Sequence, residues 1–124
     1  MNRQIKDKWI SALRSGEYNQ DSDGGYLKTC DGYCCLGVLC DLYVKETGKE
    51  WERVEETGYS KLGGMYDFLP EEVITWAEME NPNPLVHYSD EDVNHEGTIT
   101  DLNDSGVPFD TLADLIQEQV PVTL

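Results

Sequence analysis

The chain has 124 residues, nine Lys and Arg against 25 Asp and Glu, and a formal net charge of −16. That length fits one domain, residues 1–124, around a single core, and recurrent apolar clusters carrying three Trp, seven Tyr and two Phe argue against a disordered chain. The charge is asymmetric: residues 62–124 hold fourteen acids and no Lys or Arg, which argues against direct nucleic-acid binding by that half, since phosphate contact needs cations.

No apolar stretch follows the charged start Met1–Lys8, so no secretory signal is expected. No run approaches the ~18 apolar residues that suggest a membrane span. Four cysteines without a secretion signal point to reduced thiols in a cytosol.

Residues 4–14 predict an amphipathic helix. Ile5, Trp9, Ile10 and Leu13 share one face, with Lys6, Lys8 and Arg14 off it. Ser15-Gly16 ends it, and Tyr18 to Gly25 reads as a polar loop. Residues 26–34 predict a hairpin, with Asp31-Gly32 as a two-residue turn of positive φ. Residues 35–47 predict a helix apolar on most sides, closed by a left-handed Gly48 cap and central to the fold.

Trp51 to Val54 and Gly58 to Tyr66 read as short strands, the second interrupted by Gly63-Gly64. Leu69 to Ala77 reads as a short helix with Pro70 at its first position. Asn81-Pro-Asn-Pro84 is a break. Leu85–Tyr88 and Thr98–Thr100 are strand candidates flanking an acidic loop, Ser89–Gly97. Residues 108–118 predict the last helix, with Phe109, Leu112, Ala113 and Ile116 on one face. The expected fold is a compact α+β domain with about three helices on a small antiparallel sheet and a cysteine-rich central helix.

Residues 33–44 hold three of the four cysteines and a single charge, so they are either the centre of the core or the site of chemistry. The spacing of Cys30, Cys34, Cys35 and Cys40 is wrong for paired zinc knuckles, so no metal is assigned. Buried thiols acting as small hydrophobes are the plain reading. A hydrolase reading places Cys35, or Cys34, at the helix N-terminus as nucleophile, with His87 or His95 as base and Asp101 or Asn103 orienting the imidazole. The papain-like motifs are absent: Leu36-Gly37-Val38 follows Cys35.

Asn19-Gln-Asp21-Ser-Asp23-Gly24 fits the first half of a calcium loop, but Cys30 stands where a bidentate glutamate is required. Asp101 to Gly106 has similar spacing and ends on Leu112. Both also read as Asp/Asn/Gly turns. No P-loop, dinucleotide fingerprint or G-x-S-x-G is present, and no cofactor is expected.

Trp9-Ile-Ser-Ala-Leu-Arg-Ser-Gly-Glu-Tyr-x-Gln20, Tyr33-Cys-Cys-Leu-Gly-Val-Leu-Cys-Asp-Leu42, and Leu102-Asn-Asp followed by Phe109-x-x-Leu-Ala-Asp-Leu-Ile116 resemble a family of small uncharacterised proteins of tailed bacteriophages and prophages. Pro108 departs from the serine cap such proteins tend to carry. The resemblance implies a phage accessory protein acting in the host bacterial cytoplasm, and carries no catalytic residue.

The expected function is binding, without catalysis. One partner class is a host defence or regulatory protein with a basic surface, met by Asp90, Glu91, Asp92, Glu96, Asp101 and Asp104. The other is a small phosphorylated ligand, met by Arg14, Lys28, Arg53 and Lys61 with stacking aromatics. A DNA mimic built on the acids after residue 61 is a further alternative, beside a plain solvated acidic surface. No membrane contact is expected, and an oligomer is compatible with all of these.

Overall fold

The computed structural model describes residues 1–22, 25–90 and 93–123, and only the backbone of Asp90, Val93 and Asn94. It is a mixed α/β fold. The order is α1 (Arg3–Arg14), α2 (Cys35–Thr47), β1 (Glu52–Val54), β2 (Tyr59–Lys61), α3 (Glu71–Ala77), β3 (Leu85–Asp90), β4 (Val93–Thr98), α4 (Ile99–Asp104) and α5 (Phe109–Gln119).

The apolar α2 occupies the centre, as its composition demands. Cys35, Leu36, Val38, Leu39 and Cys40 are all without solvent exposure. Gly48 closes the helix in the left-handed conformation at φ 77°. α1 turns Ile5, Trp9, Ile10 and Leu13 inward and packs on both α2 and α5. The Trp9 indole N–H donates to the Cys35 carbonyl at 2.9 Å, so the first buried aromatic is tied to the first turn of α2. Lys6 donates to the Gln117 and Val120 carbonyls, meeting the negative end of α5.

Among the described residues, five helices and two two-stranded antiparallel sheets, β1–β2 and β3–β4, stand where about three helices and one small sheet were expected. The fourth helix was expected as a strand at Thr98–Thr100. The Thr98 hydroxyl instead accepts from Asp101 N–H and starts α4. The expected acidic loop, Ser89–Gly97, lies largely in the β3–β4 ladder, which pairs Leu85 with Thr98 and Tyr88 with His95.

The 26–34 hairpin is reduced to a single bridge, Lys28 to Tyr33. Its turn is not the expected type: among the described residues Glu78 is the one non-glycine with positive φ, so Asp31 keeps an ordinary backbone. The free edge of β3 is met by Gln119, whose side-chain amide exchanges hydrogen bonds of 2.7 Å with both His87 N–H and His87 C=O.

Candidate functional site

Strand β2 has a second neighbour. Cys30 N–H donates to the Gly58 carbonyl and Ser60 N–H to the Lys28 carbonyl, each at 2.9 Å, so residues 28–30 line up beside the β1–β2 pair. Their position is set from beneath by α2. A Cβ on Gly37 would lie 1.7 Å from the Leu27 carbonyl oxygen, so only glycine lets the helix backbone approach this closely. Cys34 N–H donates to that same carbonyl.

Over this surface lies a groove of about 430 Å³ lined by Lys28, Cys30, Trp51, Arg53 and Ser60, together with Thr29 and Gly58. The Lys28 ammonium stands 5.3 Å from the ring centres of both Tyr33 and Trp51, within cation–π range. Arg53 is exposed and pairs across the ladder with Ser60. Neither Lys28 nor Arg53 has an ion-pair partner among the described residues.

Trp51 is held from the other side. Its indole N–H donates at 3.1 Å to Asp41, the single charge of the 33–44 run, and the Tyr18 hydroxyl donates to the same carboxylate at 2.7 Å. Lys45 completes the cluster at 3.3 Å. Burial raises the Asp41 carboxyl, but the hydrogen bonds from Tyr18 and Trp51 and the Lys45 charge outweigh it and hold the group below its ordinary value.

Of the four cations expected to meet a phosphorylated ligand, the fold brings only Lys28 and Arg53 together. Arg14 is spent on Asp114 and Gln117 between α1 and α5. Lys61 is one residue along β2 from Ser60, and strand alternation turns it to the opposite face, across from Glu52.

The cysteine–histidine arrangement is not assembled. Cys35 has no exposed surface, and its thiol donates to the Ile99 carbonyl at 3.7 Å. Cys34 is the N-cap of α2 and its sulfur accepts from Gly37 N–H, which favours thiolate, yet desolvation wins and pushes the thiol up to about 11. Burial raises Cys35 and Cys40 as well. His87 and His95 are exposed on the β3–β4 hairpin, where His95 stacks on Tyr88. Asn103, the second imidazole partner considered, is fully buried and committed elsewhere.

Asn103 belongs to a polar clasp that the spacing did not reveal. Its amide donates to the Asp21 carbonyl and to Asp104, and its oxygen accepts from Gln20 at 2.9 Å. The Gln20 oxygen in turn accepts from Phe109 N–H, supplying the first turn of α5 with the cap that Pro108 cannot give. Of the candidate calcium loop, Asp21 accepts from the Thr29 hydroxyl, and Asp23 and Gly24 lie outside the described residues.

Of the acids expected to meet a basic partner, three have described side chains: Glu96, Asp101 and Asp104. Glu91 and Asp92 lie outside the described residues, as does the side chain of Asp90. Glu96 pairs with His87 across the hairpin ladder. Asp101 and Asp104, on α4, line a second groove with Tyr26, Tyr66, Asp67 and Phe68.

Comparison with protein families matches residues 1–120 to the domain of unknown function DUF8296, and the chain belongs to that family. Comparison with curated proteins and with solved structures gave no match. No described helix is long and apolar enough to cross a membrane.

Proposed function

We propose that the protein is a binding module that takes a small phosphorylated ligand carrying an aromatic ring, in the groove of Lys28, Trp51, Arg53 and Ser60. The observation that carries this reading is the convergence of two cations, without ion-pair partners among the described residues, beside an anchored indole in a chain of net charge −16. Distant carboxylates do not cancel such a patch, because charges more than about 8 Å away are largely screened at physiological salt. The two cations suit phosphate oxygens, Trp51 offers a stacking face, and the Ser60 hydroxyl a further polar contact. The resemblance to small phage proteins supports a setting in the cytoplasm of an infected bacterium, where such a module sequesters its ligand.

The test is a titration of the protein with a purine nucleoside 5′-monophosphate, followed by Trp fluorescence, with the bare nucleoside and inorganic pyrophosphate as separate arms. Saturable quenching by the nucleotide is expected, weakened about tenfold or more in Lys28→Ala and Arg53→Ala, since each charge-assisted contact contributes about 1.5–3 kcal/mol. Equal affinity in both variants, or no saturation at millimolar nucleotide, sinks the proposal.

A further inference from the structure

The second groove has the opposite chemistry. It is an open groove of about 560 Å³ lined by Tyr26, Tyr66, Asp67, Phe68, Asp101 and Asp104, and no cationic residue is among its described lining residues. Its aromatic wall is pre-built. The Tyr26 and Tyr59 rings stack at 4.6 Å between centres and 14°, and Tyr59 stacks on Tyr66 at 5.1 Å and 30°. Phe68 is 54% exposed and Tyr66 38%, two of the three large hydrophobic side chains most open to solvent among the described residues.

Here Phe68 and Tyr66 stand open to solvent in a groove that also holds carboxylates. Partial burial, with the negative charges of Asp101 and Asp21, raises the Asp104 carboxyl above its ordinary value against the lowering hydrogen bond from Asn103. An incoming cation relieves that repulsion. The aromatic faces add attraction for a flat or compact cation and shed water when it enters.

We infer that this groove is a docking site for an arginine or lysine side chain presented by a basic segment of a partner protein, gripped between the Tyr26–Tyr66–Phe68 wall and the Asp101–Asp104 pair. Charge complementarity selects the occupant: Asp67, Asp101 and Asp104 line the groove and no Lys or Arg is among its described lining residues, which disfavours an anionic ligand here. The site is separate from the Lys28–Arg53 groove, shares no lining residue with it, and stands or falls independently.

The experiment uses a short amidated peptide of alternating glycine and arginine, and the same peptide with citrulline, titrated calorimetrically and by two-dimensional NMR into the intact protein. The arginine peptide is expected to bind and to shift Tyr26, Tyr66 and Phe68 resonances, and the neutral citrulline peptide to fail. Phe68→Ala removes an exposed ring, and Asp101→Asn with Asp104→Asn removes the charge pair. Each should weaken the arginine peptide about tenfold. Glu55→Gln with Glu56→Gln, which removes two acids elsewhere, should leave affinity within about twofold. Lys28→Ala should do the same. Loss of affinity equal in the groove and remote charge variants, retention in Phe68→Ala, or no binding by the unaltered protein overturns the inference.

Discussion

Asp41 shows how one charged residue in an apolar helix organises its surroundings. It was legible in the sequence as the single charge of residues 33–44, but its partners Tyr18 and Trp51 come from other segments and had no local signal. Removing the carboxylate in Asp41→Ala strands an indole N–H and a phenol, and should cost about 1–3 kcal/mol in urea unfolding while freeing Trp51 from the groove. Because the folded carboxyl sits below its unfolded value of about 3.9, its contribution is complete above that pH and lost as pH falls through the folded value. As pH falls below about 4, the unfolding midpoint of the native protein should fall more steeply than that of Asp41→Asn. The cysteines carry the opposite sign. Cys34 is held up to about 11, so its stabilising share is complete below the unfolded thiol value of about 8.5 and lost as pH climbs through the folded one. Native-state maleimide labelling should modify Cys30 alone, since Cys34, Cys35 and Cys40 are buried; rapid reaction of a second thiol would contradict the packing described. Both effects were legible in the sequence, burial as small hydrophobes and a thiol-lowering helix N-terminus; that burial outweighs the helix end at Cys34 follows from the packing alone.

At the level of elements, the long periodic ones were the legible ones. α1, α2 and α5 follow from apolar spacing and from the Gly48 cap, and their predicted ends agree to within a residue or two. The short element α4 was hidden because β-branched Thr98, Ile99 and Thr100 favour strand. The signal that did exist was Thr98 three residues before Asp101, an N-cap spacing. Thr98→Ala should therefore cost about 1 kcal/mol by loss of the cap, measured by thermal or urea unfolding. The contact of α2 with the Leu27 strand is stricter. Gly37→Ala puts a methyl carbon onto a carbonyl oxygen, with backbone on both sides and no side chain to yield, and should cost about 3 kcal/mol or more. It should also displace Lys28 and weaken nucleotide binding. An Ala at Gly48 gives a separate measure of strain in a positive-φ cap, because its Cβ would meet nothing within 4 Å.

For the whole molecule, charge asymmetry was readable from composition, but its sorting into two grooves of opposite sign was not. That sorting depends on strand alternation and on which cations are consumed by α5. Self-repulsion from a net charge of −16 opposes the compact state, so Tm should rise as sodium chloride is raised from about 0.01 to 0.3 M, where the screening length shortens severalfold. A Tm independent of salt would mean that the carboxylates are neutralised within the fold. The Gln20 clasp adds a kinetic dimension. The amide that completes α5 at Phe109 comes from 89 residues earlier in the chain, and Asn103 is reached across 83. A helix whose first turn is finished by so remote a residue cannot mature early and alone. That bond closes a loop of 89 residues, and the entropy cost of so long a closure favours its forming late. Gln20→Ala should accordingly speed unfolding more than it slows refolding, because the bond it removes belongs to the last stage of assembly.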